Sequence, residues 1–494
     1  MTAFDIPLWM IFLKWTYQAT YRMFTLISSF TVIQGRITIM KKFMAFLLSA
    51  MMIFALTACG GGGSDTAETA DSGEEGKVIN IYVWNQEFQG LVNSYYPEVE
   101  STSDDLSVTY LKDGTEIHWT INPNQDGVYQ QKLDEALTKQ DSAAADDKID
   151  LFLVEADYAL KYTDADVDIA IPLKELGITD EDLAQQYQYT KDVVTDANGE
   201  IRGTSWQATP GLFAYRRSIA KDVFGTDDPD EIQALLSDWD KFDEAAYKLK
   251  EKGYYAASSR ADTYRVFSNN VSGPWVQGTS VVVDPNLMNW VEQSKRYTDE
   301  GLNHKVGGQW TDEWNKDQGA DSKVFGFFYS TWGINFTLVG NAGEEGFGDW
   351  AVCPGPQPFY WGGTWLVACR GTDNPEHVKD IMLNMTANQD ILTTITKETQ
   401  DYTNNEEAMN ALAADDSFAS DFLGGQNHIA LFAEVAPTID MSNISAYDQG
   451  CGEDFQNCFG DYFNGTIDLD KAKSNFETAI LERYPELTDV QWPE

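Results

Sequence analysis

The chain has 494 residues, with 34 Lys and Arg against 78 Asp and Glu, a formal net charge of −44 at pH 7, and a 43% hydrophobic composition that includes 15 Trp. Such an acidic surface repels nucleic acid and anionic lipid headgroups, which excludes both as electrostatic partners and favours neutral or cationic ligands. The apolar content suffices for a globular body, and the length is too great for one core, so two domains are expected.

Residues 1–39 are aromatic and apolar, interrupted by Lys14, Arg22 and Arg36. They read as an upstream extension outside the fold, because a complete export signal begins at Met40. Lys41 and Lys42 precede the apolar run Phe43 to Leu56, which is shorter than the ~20 residues needed to span a bilayer. Leu56-Thr57-Ala58 then leads into Cys59, and Gly60 to Gly76, rich in Gly, Ser, Thr and acids, reads as a flexible tether. In an exported chain the four later cysteines permit two disulfides. Cys451 and Cys458 lie in a Gly-rich stretch that suggests a local loop bridge, whereas Cys353 and Cys369 flank a strand-like segment and either bridge it or stay buried thiols. Zinc-ligand spacing is absent, and no cofactor is expected.

Val78 to Trp84 reads as a first strand, ending in the polar group Asn85-Gln86-Glu87, with a helix over Leu91 to Tyr96. Strands follow at Leu106 to Leu111 and Ile117 to Ile121, then a helix over Asp126 to Gln140 and a buried strand over Ile149 to Val154. This alternation predicts βαβ units and a parallel sheet, whose strand ends would gather Asn85, Glu87, Glu155 and Asp157 in one cleft. Ile201 to Ser205 and Gly211 to Tyr215 look extended. Two helical runs within Asp230 to Glu251 are split near Ser237, a candidate N-cap. Val266 to Gly278 reads as a binding segment. Further helices are expected at Asn286 to Glu300, from Thr331, and at Glu376 to Met385, Asn388 to Thr396, Asn405 to Ala414 and Leu469 to Arg483. Strands are expected at Lys323 to Phe328, Ala351 to Cys353 and Trp365 to Cys369.

Several of these segments, in order, resemble extracellular solute-binding proteins of ABC importers, especially the maltose-binding-protein-like carbohydrate family. They are GLFAYRRSIAKDVFG (211–225), SDWDKFDEAAYKL (237–249), VFGFFYSTWGINF (324–336), FYWGGTWLVACRGTDNPEHVKDIMLNM (359–385) and FNGTIDLDKAKSNFETAI (463–480). The segment ending at Cys59 is similar to the lipobox of bacterial lipoproteins. The resemblance implies an α/β, two-lobe periplasmic-binding-protein-like fold (type II), each lobe a mixed sheet flanked by helices, joined by hinge crossovers. It implies a signal peptide at 40–58, a tether at 59–76, an N-lobe of 77–207 and 357–400, and a C-lobe of 208–356 and 401–494. It further implies an extracytoplasmic monomer, lipid-anchored to the membrane through Cys59, that closes about a hinge on a carbohydrate and delivers it to permease subunits. Carried over by position, Asn85 and Glu87 match polar residues after the first strand, and Asp157 a polar position after the strand ending at Val154. Trp275 falls in the segment supplying an aromatic from the second lobe. Trp332 matches a sugar-stacking Trp, and Trp361 and Gly362 the loop before the returning strand. Tyr158 stands near a place where some relatives have Trp.

A sugar presents apolar C–H faces and a rim of hydroxyls, so its site needs flat aromatic faces beside planar polar groups. Trp206, Trp275, Trp332 and Trp361, beside glycines or strand ends, suit that need. Trp84 and Trp365, inside strands, read as core. Trp310 and Trp314 share one helical face, as core or as rim. Glu87, Glu155 and Asp157 admit a competing reading as the carboxyl pair of a secreted glycosidase. Carboxylates that accept sugar hydroxyls fit better, and a non-sugar solute is the remaining alternative. Asp164, Asp166 and Asp168 with Glu175 mimic calcium-loop spacing, but Ile169 stands where such a loop needs Gly.

Overall fold

Alternation of side chains along Val78–Val83 (β1) puts Ile79, Ile81 and Val83 on one buried face, the period-two pattern of a strand covered on one side by helices. In the computed structural model, which describes residues 76–493, β1 sits at the centre of a seven-stranded sheet. The other strands are Val99–Thr102 (β2), Val108–Leu111 (β3), Glu116–Ile121 (β4), Leu151–Glu155 (β5), Thr204–Ser205 (β6) and, from much later in the chain, Thr364–Ala368. That last strand pairs antiparallel with β5, Thr364 opposite Glu155, while β1 runs parallel to both β4 and β5. The helices Glu87–Tyr95, Pro375–Thr386 and Gln389–Thr399 lay Phe88, Val92, Ile381 and Leu392 against Ile79, Ile81 and Leu366. The export signal, Cys59 and most of the tether lie outside the described residues.

A second sheet has three antiparallel strands. Gly211–Arg216 (β7) lies between Gly326–Ser330 and Trp350–Cys353, and every residue of the three is buried. Its face carries an aromatic core in which Phe213 meets Phe242, Phe325 and Phe328 at 4.8–5.7 Å between centroids. A third, small sheet joins Val276–Gln277, Ser280–Val282 and Asp489–Gln491. It shares the core of Trp290, Phe455, Phe459 and Phe476 with the helices Pro285–Glu300, Asp448–Phe463 and Leu469–Arg483.

The chain passes three times between the two larger sheets, and the three passages hydrogen-bond to one another. Gly211 N–H donates to Phe359 O at 2.7 Å and Trp361 N–H to Thr209 O at 3.2 Å, while Asn404 N–H donates to Trp206 O at 2.7 Å and Ala208 N–H to Tyr402 O at 3.3 Å.

Most sequence expectations fall within a few residues of the observed elements; Leu469–Arg483 coincides with its helix. Others change. The cap of the helix Trp239–Glu251 is Asp238, not Ser237: its carboxylate accepts from Lys241 N–H at 2.9 Å. Residues 448–463, read as a Gly-rich stretch, are a sixteen-residue helix. Its glycines are packing devices: a Cβ on Gly452 would stand 3.0 Å from the Tyr264 hydroxyl, and one on Gly450 would collide with Tyr484. That helix removes the expected local disulfide. Cys451 and Cys458 are seven positions apart on one helix, a rise of about 10 Å, beyond the ~7 Å limit between bridged Cα atoms. All four described cysteines are free, and burial pushes the Cys353 and Cys369 thiols up to about 12. Asp168 and Glu175 pair with Arg370, and no metal-holding cluster of His, Cys, Asp or Glu occurs among the described residues.

Gly326 marks where the second sheet leaves no room. A Cβ there would lie 2.5 Å from the Ala214 carbonyl oxygen and would strike the Phe213 ring. Backbone on one side cannot yield, so Gly326→Ala should destabilise the protein by about 1–3 kcal/mol, the usual overpacking cost, measured as a lower midpoint in urea unfolding.

Candidate functional site

Where the passages meet, side chains from both larger sheets enclose a hollow of about 290 Å³. Glu87, Trp206, Ile395 and Thr399 come from the seven-stranded sheet and its helices. Thr331, Trp332, Asn335 and Phe336 come from the helical segment that follows Gly326–Ser330, and Asp401 comes from a passage. Asn335 Nδ2 donates to Thr399 O at 2.9 Å across the hollow's rim.

One wall is aromatic. Trp332 lies part-exposed, its ring parallel to Trp310 at 6.1 Å and edge-on to Trp361 at 5.4 Å and Phe336 at 6.4 Å. Trp310 is 52% exposed and Phe336 76%, unusual for such large apolar groups. Trp332 Nε1 donates to Trp361 O at 3.0 Å, which fixes the indole. Gly362, at φ +71°, lets the backbone come this close: a Cβ there would sit 3.1 Å from Trp332 Nε1.

The opposite wall is acidic. Gln207 Nε2 donates one hydrogen to Glu87 Oε1 and the other to Asp401 Oδ2, both at 3.0 Å. Water reaches the Glu87 side chain from the open side, yet protein surrounds it elsewhere. Desolvation and the nearby Asp401 charge raise its carboxyl to about 7 against the relief of the Gln207 bond. Asp401 is raised as well, chiefly by burial.

A second hollow of about 220 Å³ is lined by Asp157, Arg265, Trp275, Tyr360 and Asp448 among others. Arg265 grips both Asp157 oxygens, at 2.5 Å through Nη1 and through Nη2. Desolvation, with Asp157 nearby, lifts Asp448 to about 7, and burial beside Asp157 raises Glu155. A larger hollow of about 440 Å³ beside Tyr96 and Asp380, on the seven-stranded sheet's own flank, draws no residue from the second sheet.

A model of the bacterial extracellular solute-binding protein family matches residues 109–422. The chain belongs to this family. No curated protein matches it significantly in sequence, but solved structures match its fold. One, described as an extracellular solute-binding protein family 1, aligns with a TM-score of 0.66 at 17% identity over 82% of this chain and 99% of its own. The ABC transporter associated binding protein of B. animalis subsp. lactis, solved with beta-1,6-galactobiose, gives 0.63 at 16% identity over 84% and 100%. The galacto-N-biose-/lacto-N-biose I-binding protein of Bifidobacterium longum, solved with lacto-N-biose, gives 0.59 at 14% over 83% and 99%. The solute-binding protein thus has the two-lobe, type II periplasmic-binding-protein fold, and its family is non-enzymatic, which removes the glycosidase reading.

In this solute-binding protein the expected site residues divide. Glu87, Trp206 and Trp332 share the first hollow; Asp157 and Trp275 share the second; Trp361 and Gly362 line neither but pack against Trp332. Trp206 is only 1% exposed and stacks on Phe88 at 5.1 Å, so it forms a floor rather than a free face. Trp275 packs on Phe455 and Phe476. Tyr158 is buried edge-on to Tyr162 and lines neither hollow. Asn85 accepts from Glu87 N–H at 3.0 Å, holding the turn that carries Glu87. Sequence reasoning missed Gln207, Asp401, Arg265, Phe336 and Asp448. Only Phe336 had a signal: four residues after Trp332, it shares that helical face.

The raised carboxyls make stability depend on pH. Glu87 and Asp448 titrate near 7 in the folded chain against 4.5 and 3.8 ordinarily, so the folded state holds more protons and loses stability as pH rises toward and through 7. His428, lowered from 6.5 to about 4 by burial, acts oppositely, but only below 6.5. The Tm of the ligand-free protein should therefore fall between pH 6.5 and 8, with a shallower slope in Glu87→Gln, as scanning fluorimetry in matched buffers would record.

Proposed function

We propose that this chain is the receptor of an ABC importer for a sugar or oligosaccharide, held in the hollow bounded by Trp332 and Glu87 and delivered to membrane permease subunits. The observation that carries the reading is the part-exposed Trp332, flanked by the exposed Trp310 and Phe336 and set opposite two carboxyls. Flat aromatic faces cover the C–H surface of a pyranose, and carboxyl and amide groups take its hydroxyls. The sugars named for the Bifidobacterium proteins support the same class. Asp157, Trp275, Trp361 and Gly362 extend the proposed site toward the second hollow.

We assign residues 77–207 and 357–400 to one lobe, and 208–356 and 401–494 to the other. The passages near 208, 357 and 401 act as the hinge, and closure brings the aromatic wall onto the sugar. Cleavage before Cys59 and lipid on its thiol would tether the receptor within about 60 Å of the membrane at full extension. That raises its effective concentration at the permease.

Isothermal titration with a panel of mono- and disaccharides tests the reading. A sugar that binds the parent protein should bind Trp332→Ala about tenfold or more weakly, since stacking contacts of this kind carry on the order of 1 kcal/mol or more, while circular dichroism and Tm stay near parent values. Unchanged affinity would remove Trp332 from the site.

A further inference from the structure

The carboxyl wall holds more negative charge than the protein itself neutralises. None of the residues lining the first hollow is Lys, Arg or His, and neither Glu87 nor Asp401 makes an ion pair among the described residues. Their shared donor is one uncharged amide, Gln207. Asp401 Oδ1 also accepts from Tyr402 N–H at 2.8 Å, and the Asn85 side chain eases the Glu87 carboxyl, but these groups too are uncharged. Beside them the Thr331 hydroxyl is fully buried and completes no hydrogen bond of good geometry, although it faces the Asp401 carboxyl. In the second hollow the single lining cation, Arg265, is already taken by Asp157, and Glu453 pairs with Arg483 at 3.2 Å, which leaves Asp448 without an ion pair among the described residues.

We infer that the ligand is an amino sugar whose protonated amine sits between Glu87 and Asp401 while its ring lies on Trp332. This rests on the sugar-binding reading of the same hollow. A hydroxyl satisfies one lone pair and leaves both charges uncompensated. An ammonium donates to both carboxyls and brings one positive charge to the pair, favouring the ionised form that burial and mutual repulsion oppose. Gln207 Nε2 donates at 3.0 Å to both Glu87 Oε1 and Asp401 Oδ2, so the two carboxyls are close enough for one nitrogen to reach both, and an ammonium entering from the open side can bridge them in the same way through charge-assisted bonds. The aromatic wall adds attraction for a cation near its face. The open Phe336 and Trp310 leave room for the uncharged part of the molecule. N-acetylation would abolish the charge and add bulk at the acidic wall, so the free amine is the form selected.

Titration calorimetry on the folded chain tests this with glucosamine, galactosamine and their 1,4-linked dimers, each against its N-acetyl and its 2-hydroxy counterpart. The amine of at least one set should bind about tenfold or more tightly than both counterparts, as expected for a charge-assisted contact worth about 1.4 kcal/mol. Glu87→Gln and, separately, Asp401→Asn should each shrink that preference, with Tm confirming that each variant is folded. Equal or tighter binding of a neutral counterpart overturns the inference and leaves the sugar reading standing. Binding of no sugar at all, amine or neutral, overturns both, and binding of a linear polyamine in their place moves the site to another solute class.

Discussion

Three strands of chain lying side by side between two sheets are the constraint on which everything else depends. Their mutual hydrogen bonds, Gly211 to Phe359, Trp361 to Thr209, Ala208 to Tyr402 and Asn404 to Trp206, turn three separate linkers into one ribbon. A single linker leaves two lobes free in all directions, whereas a bonded ribbon confines motion to bending across its width. The ribbon also carries site groups of its own: Gln207 on the middle passage, Asp401 on one edge, and Trp361 and Gly362 on the other. Thr209 within it is held at φ +45°, a left-handed conformation uncommon for a β-branched residue, with its hydroxyl donating to Gly362 O at 3.3 Å. Such a conformation persists only where surrounding bonds determine it.

The electrostatics follow from that placement. A chain with a net charge of −44 has no shortage of carboxylates in water, but those at the ribbon are crowded, with Asp401 part-buried and Glu87 open to water on one side only. Burial there favours the protonated form, and like charges sharing a site push one another further the same way. Elsewhere the same chain satisfies its acids in ordinary fashion: Asp196 pairs with Arg202 at 2.6 Å, and Asp349 with Arg216 at 2.6 Å. The contrast is informative. At Asp196 and Asp349 an arginine stands opposite the charge; at Glu87 and Asp401 the donors are uncharged amide and backbone groups.

Local pattern made much of the first sheet legible, because β1, β5 and the helix Leu469–Arg483 each carry their own period in consecutive residues. Trp332 and Glu87 were picked out by their places shortly after recognisable strands, two residues past Ser330 and four past Val83. What escaped depends on distant partners. The helix 448–463 hides behind glycines whose purpose appears only when Tyr264 and Tyr484 pack on them. Asp401 is an ordinary acid after a helix until Gln207, far away in the chain, reaches it. Cys451 and Cys458 looked bridgeable because closeness in sequence says nothing of rise along a helix. The single cleft expected at the strand ends becomes two hollows, Glu87 lining one and Asp157 the other.

The bond from Trp332 to the Trp361 carbonyl joins these levels. Trp332 is fixed to the second sheet through the helical segment it begins, and Trp361 belongs to the ribbon. Any molecule resting on the Trp332 face therefore bears on the second sheet directly, on the ribbon through Trp361, and on the first sheet through Glu87. A flat ring held by these three bodies at once stabilises one angle between them over all others. Ligand recognition and lobe orientation then become a single equilibrium, since differential contact with the two states is what shifts a population.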